Sequence, residues 1–243
     1  MPGESVAVIG PSAAGKSTLC RLLVGIIAPT AGQIRLDGSE VMHWDPVQLG
    51  RYIGYVPQDV ELFAGSVREN IARMGAIDDE AVVEAASLAH AHEMIQRLPD
   101  GYETQIGESG LRLSGGQRQR IGLARAVYGD PRLVVLDEPN ANLDQAGESA
   151  LSTAIQDLKK RGVALIIVGH RPSTLAQADK IVLLREGRVE LFGPRDVTLQ
   201  KLRAAKSLGG VVPIQKAAAM ASMAAMSELP PSQGEVPELE RGA

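Results

Sequence analysis

Gly10, Gly15, Lys16 and Ser17 stand in the pattern G-x-x-x-x-G-K-[ST], which Gly10, Pro11, Ser12, Ala13, Ala14, Gly15, Lys16, Ser17 and Thr18 complete. Glycines at these positions let the backbone curl so that successive N–H groups point inward, and a helix starting there adds a partial positive charge. A lysine at this spacing reaches the outer phosphates of a nucleotide, and the hydroxyl after it is placed to ligate Mg²⁺. The pattern predicts a nucleotide triphosphate site.

Two further stretches carry chemistry. The apolar run Leu133-Val134-Val135-Leu136 ends in Asp137-Glu138. A carboxylate at the carboxyl end of a buried strand lies where ligands gather in open α/β sheets. Asp137 suits the Mg²⁺ shell, and Glu138 is suited to orient or deprotonate an attacking water. Leu113-Ser114-Gly115-Gly116-Gln117 opens a helix with a good N-cap and two glycines, which makes a second anion-binding helix start. A well-capped structural helix is the competing reading of it. One triphosphate loop and a second phosphate-reading helix start, far apart in sequence, fit together if two copies face each other. Among the histidines, His170 follows the strand-like run ALIIVG. His90 and His92 are two apart on a predicted helix and do not face one another, and His43 has no evident partner.

The elements that must position these residues read as alternating strands and helices. Val6–Ile9 predicts a buried strand, and the helix after the loop runs to about Ile26. Pro29–Gly32 makes a turn, Gln33–Leu36 a strand, and Asp37-Gly38 a hairpin signal. Tyr52–Val56 is a strand, residues 77–98 are helical, 102–113 form a loop, and a helix runs from Ser114 through Ala126. Strand 132–136, a helix over about 147–160, strand 164–168 and a hairpin-like edge over 181–192 follow. The result is an α/β P-loop NTPase of RecA-like type, with a mostly parallel sheet and an inserted helical lobe. Residues 1–74 and 128–206 are its core, 75–127 the lobe, and 207–243 a low-complexity tail. In that tail Met220, Met223 and Met226 lie three apart, which leaves a partner-binding helix as the alternative.

Composition sets limits on this reading. The 243 residues are 44% hydrophobic, enough for one α/β domain with an inserted lobe. A net charge of −4 offers no basic field, so nucleic acid is not expected as a partner. The single cysteine, Cys20, excludes an internal disulfide and reads as a small core residue. No apolar run reaches the roughly 18 residues that span a bilayer.

Together GPSAAGKST, LSGGQRQR, VVLDEP and the later His170 resemble the nucleotide-binding domain of an ABC transporter over about residues 2–203. The resemblance implies ATP and Mg²⁺ as ligands and a head-to-tail homodimer, in which Leu113–Gln117 of one copy close over ATP on the other. It assigns Gly10–Thr18 to Walker A and Gln58 to the Q-loop glutamine that contacts Mg²⁺ and water. It assigns Asp137 to Walker B, Glu138 to the catalytic carboxylate, Asp144 to the D-loop aspartate and His170 to the switch histidine. Gln58–Phe63, Ser66–Ile71, Leu98–Tyr102 and Ile106–Gly110 resemble exporter sequences. Trp44-Asp45-Pro46, Ala13-Ala14 and Glu138–Asp144 resemble type I secretion ATPases of the alkaline protease group.

The family also places an adenine-stacking aromatic upstream of Walker A and, in exporters, a membrane-spanning domain before the ATPase. This chain starts too late for either, and its first sheet strands are expected to be missing. Stacking on a base is worth about 1–3 kcal/mol, so ATP affinity is expected to be ten- to a hundredfold lower. The expected function is ATP hydrolysis that powers export, at the cytoplasmic face of the inner membrane through a membrane domain outside this chain. A catalytically silent fragment and a non-transport ABC ATPase are the alternatives.

Overall fold

A computed structural model describes residues 3–107, 113–169 and 171–207. Strand β1 (Ser5–Ile9) enters the glycine-rich loop, which opens helix α1 (Lys16–Leu23). The hairpin of β2 (Arg35–Leu36) and β3 (Ser39–Glu40) turns at Asp37-Gly38, both at positive φ. Helix α2 (Pro46–Tyr52) follows, capped by Asp45, whose side chain accepts from the N–H groups of Val47 and Gln48. After β4 (Ile53–Val56), the short antiparallel pair β5 (Gly65–Ser66) and β6 (Gln105–Ile106) brackets α3 (Val67–Ile71), α4 (Asp79–Leu88) and α5 (His92–Gln96). Then come α6 (Gly115–Val127), β7 (Leu133–Asp137), α7 (Gln145–Lys160), β8 (Ala164–Val168) and α8 (Pro172–Gln177). Strands β9 (Lys180–Arg185) and β10 (Arg188–Pro194) and helix α9 (Arg195–Ser207) complete the described chain.

Among the described residues the main sheet has six strands in the order β10-β9-β1-β8-β7-β4, parallel except for β10. Its central strands are apolar over most of their length, with Ser5 and Asp137 at their ends, because both faces are covered, as parallel sheets require. Strand β7 shows the two-residue period. Val134 and Leu136 pack in the layer of Ile121, Ile155 and Leu158, and Val135 packs in the opposite layer with Val8, Cys20 and Val168. Parallel register aligns Asp137 with Val168, and Val8 with both Val168 and Val182. The carboxyl ends of β1, β7 and β8 therefore share one edge, and the loop after β1 and the residues after β7 emerge together there.

Helices α3 to α6 pack on one another, and two contacts seat them beside β4. A Cβ on Gly54 would stand 2.1 Å from the Ala126 carbonyl oxygen, so only glycine lets the end of α6 lie on β4. The half-buried Arg73 guanidinium donates to the carbonyls of Arg125, Ala126 and Tyr128 where α6 ends, and to that of Gly50 in α2.

Several boundaries differ from the sequence reading. Helix α1 stops at Leu23, three residues short of Ile26, because Gly25 at φ +75 takes the chain out of helical geometry and Ile26 N–H bonds back to Arg21. Tyr52 ends α2 and does not begin a strand. The expected loop 102–113 contains β6, and the sequence reading places no helix over α2, α3, α8 or α9. Cys20 is fully buried under the sheet, and its thiol is pushed up to about 12, chiefly by burial. The chain divides into two units, Met1–Leu202 and Arg203–Ala243. Residues 1–2, 108–112, 170 and 208–243 are outside the described residues, so the tail and its methionine spacing are too.

Candidate functional site

The loop after β1 is built by backbone geometry. A Cβ on Gly10 would lie 2.1 Å from the Leu184 carbonyl oxygen of β9, so the chain crosses the sheet edge only as glycine. Ala13 at φ +60 and Gly15 at φ +94 curl the loop, and Gly15 is the N-cap of α1. Ala14 N–H bonds to the Pro11 carbonyl at 3.3 Å, and the Ala14 carbonyl accepts from Gly187 N–H at 3.0 Å, which ties the loop to the β9–β10 turn. No side chain caps α1, so its first N–H groups are left without a side-chain partner. The Lys16 ammonium donates to the carbonyls of Gly10 at 3.1 Å and Pro11 at 2.9 Å and so lies across the loop mouth.

The cleft over this loop has a volume of about 740 Å³. Gly10, Pro11, Ser12, Ala13, Gly15, Lys16, Ser17, Thr18, Gln58 and Glu138 line it. Ala14, expected in the phosphate cradle, is only 3% exposed and packs in the layer with Cys20 and Leu184, because the curl turns its side chain inward. Gln58 and Glu138 are 80 residues apart and meet at 3.5 Å, Gln58 Nε2 donating to Glu138 Oε2. Glu138 holds φ +47, a conformation costly for a side-chain-bearing residue, while its N–H bonds Val168 O at 3.0 Å.

Asp137 lies beneath the cleft floor, 2% exposed. Burial raises its carboxyl above the ordinary range, the Ser17 hydroxyl bonded to it pulls the other way, and the charge of Glu138 pushes it up again. Its Oδ1 is buried without a hydrogen-bond partner. A buried carboxylate with an unmatched oxygen, beside a hydroxyl and near a lysine, fits a hard divalent cation. Among the described residues, no cluster of three or more His, Cys, Asp or Glu could hold a metal ion. Mg²⁺ usually binds through one or two carboxylates and the phosphates of its substrate.

The second helix start stands elsewhere. Ser114, Gly115, Gly116 and Gln117 do not line the cleft. Ser114 Oγ accepts from Gln117 N–H at 3.2 Å, and Gln117 Oε1 accepts from Ser114 N–H at 2.8 Å, a reciprocal capping box. Asp144 also does not line the cleft. Its Oδ1 accepts from Gly147 N–H at 2.8 Å and caps α7. His170 lies outside the described residues. His90 and His92 do not share a helix. His90, at φ +51, breaks the chain between α4 and α5 and pairs with Asp157, while His92 Nδ1 bonds Tyr102.

One supporting residue escaped the sequence reading. Asn70, fully buried, accepts from Phe63 N–H at 2.8 Å and donates to the carbonyls of Phe63 and Ser66, both at 3.0 Å, fixing the loop that follows Gln58. The Ser66–Glu69 capping box beside it was the signal available.

Comparison with known proteins matches residues 1–141 to the ABC transporter family. The type I secretion system ATP-binding protein PrsD of Rhizobium meliloti (strain 1021) is 53% identical over 198 residues, 81% of this chain and 34% of that protein. The cyclolysin secretion/processing ATP-binding protein CyaB of Bordetella pertussis (strain Tohama I) is 44% identical over 200 residues, 82% of this chain and 28% of that protein. A solved bacterial Atm1-family ABC exporter with ATP bound has a TM-score of 0.75 and 36% identity, covering 82% of this chain and 35% of that one. The chain spans about a third of the length of these relatives.

Proposed function

This chain belongs to the ABC transporter family, and from that premise we propose that it is the ATPase domain of an exporter powering type I secretion of a protein. ATP-binding domains of this family are ATPases. The observation that carries the reading is one cleft lined by Gly10–Ala13, Gly15–Thr18, Gln58 and Glu138 over the unmatched oxygen of Asp137. Main-chain N–H groups of the loop and the Lys16 ammonium would hold the β- and γ-phosphates. Mg²⁺, bound by Ser17 and Asp137, would offset phosphate charge. Glu138 would orient the attacking water and accept its proton, with Gln58 steadying the carboxylate and His170 assisting at the γ-phosphate.

The start of α6 completes the site from a second copy. Ser114–Gln117 would bind the γ-phosphate held by the partner's loop, with Asp144 near the same junction, so that ATP joins two chains head to tail. The membrane-spanning domain of the exporter is the further partner and holds the pair at the cytoplasmic face of the inner membrane. Similarity to PrsD and CyaB supports this reading. Among the described residues no helix is long and apolar enough to cross a membrane.

Glu138→Gln tests the assignment. It should keep ATP bound and cut turnover about a hundredfold or more, the scale of a lost general base. Unchanged turnover would reject the role given to Glu138.

A further inference from the structure

Glu138 opens a tight turn. Ala141 N–H bonds back to the Glu138 carbonyl at 3.1 Å, with Pro139 and Asn140 in the two central positions. The fixed φ of proline favours such a turn, so Glu138 and Asn140 move as one unit. Asn140 is only 5% exposed, and its Nδ2 donates to Thr174 Oγ1 at 3.4 Å, a buried bond between residues 34 apart. Thr174, also buried, belongs to α8.

The same threonine reaches the other side of Glu138. Glu138 N–H bonds the Val168 carbonyl at 3.0 Å, and a Cβ on the next residue, Gly169, would stand 3.4 Å from Thr174 Cγ2. The hydroxyl of Thr174 thus holds the turn after Glu138, while its methyl lies against the strand end that bonds Glu138 N–H. Helix α8 has anchors of its own: Arg171 pairs with Glu148 of α7, and Thr174 N–H bonds the Arg171 carbonyl at 3.1 Å. Asn140 and Thr174 line a void of about 10 Å³ with Leu151, Ser152 and Ile155. That is near the smallest space that admits one water, so solvent replaces the bond poorly if it breaks. Glu138 holds φ +47, which persists only where its surroundings impose it.

We propose that Asn140 and Thr174 are positioning residues: their bond locks the turn after Glu138 against α8 and so sets where the Glu138 carboxylate stands over the cleft. Neither side chain lines that cleft, so both act through Glu138 and not on the nucleotide. A shift of α8 is thereby passed to the carboxylate that meets Gln58. The kinetic effect rests on the ATPase reading, while the bond itself is measurable without turnover.

The test compares Thr174→Val, which keeps the shape and loses the hydroxyl, with Thr174→Ser, which keeps the hydroxyl. Thr174→Val leaves the Asn140 amide buried without its partner. It should lower kcat about tenfold with KM for ATP within twofold, and should speed amide exchange at Ala141 at least tenfold. Thr174→Ser should keep at least half of kcat and near wild-type exchange. Asn140→Ala combined with Thr174→Val should cost no more kcat than the worse of the two alone, because both remove one bond. A merely structural bond predicts a lower melting temperature with kcat and Ala141 exchange unchanged. That result overturns the proposal, as do additive losses in the double variant, a loss that falls on KM, or a Thr174→Ser chain as slow as Thr174→Val. If Thr174→Val does not fold, Asn140→Ala decides: the tenfold fall in kcat at constant KM supports the lock, and unchanged kcat refutes it. If the wild-type chain has no ATPase activity, the ATPase reading fails while exchange at Ala141 still tests the lock.

Discussion

The two helix starts marked for phosphate, at Lys16 and at Gly115, are satisfied in opposite ways. Helix α1 has a glycine N-cap and no side chain on its first N–H groups, and it opens into a cleft that also holds Lys16, Gln58 and Glu138. Helix α6 is closed on itself by the Ser114–Gln117 capping box and faces no carboxylate or lysine of that cleft. The first is a receptor assembled within one chain. The second meets two of its first N–H groups, those of Ser114 and Gln117, with its own side chains, which suits a surface completed by the site of a partner.

That contrast can be broken from either side. Lys16→Ala should have the largest effect, lowering ATP affinity at least about a hundredfold in an equilibrium titration, since a charge-assisted contact with phosphate is lost. Retained affinity would remove the first region from the account. Gly10→Ala should cost about 1–3 kcal/mol of stability in denaturant unfolding, from the clash at the Leu184 carbonyl, and should lose ATP as well. Ser114→Ala should cost about 1 kcal/mol through the lost cap. It should lower turnover while leaving ATP affinity of the single chain unchanged, whereas a fall in that affinity would erase the distinction between the two starts.

The smallest effect has the opposite sign. The raised carboxyl of Asp137 means that its contribution to stability is full below the unfolded value of 3.8 and is lost as pH climbs through the folded value. Asp137→Asn should therefore melt a few degrees above wild type at pH 7, with the gap closing toward pH 4, while Mg²⁺ no longer strengthens ATP binding. A gap that widens on acidification would contradict the buried, unmatched carboxylate.

Much of this was legible because it rests on local pattern. The apolar strands β1, β7 and β8 announce themselves by composition, and the loop at Gly10–Ser17 by spacing. Asp45-Pro46 and Ser66–Glu69 carried helix-start signals too, and α2 and α3 begin there. Other features depend on groups far apart in sequence. The meeting of Gln58 with Glu138 follows from strand order, and the inward turn of Ala14 from the positive φ of Ala13. No pattern in a single stretch encodes those.

The central claim is that the cleft at Lys16 and the helix start at Ser114 are halves of one site divided between two copies. Light scattering of the Glu138→Gln chain, saturated with ATP and Mg²⁺, measures this directly. The account predicts the mass of two chains, falling to one when Ser114→Ala is added or ATP is withdrawn. The mass of a single chain at saturating ATP would contradict it.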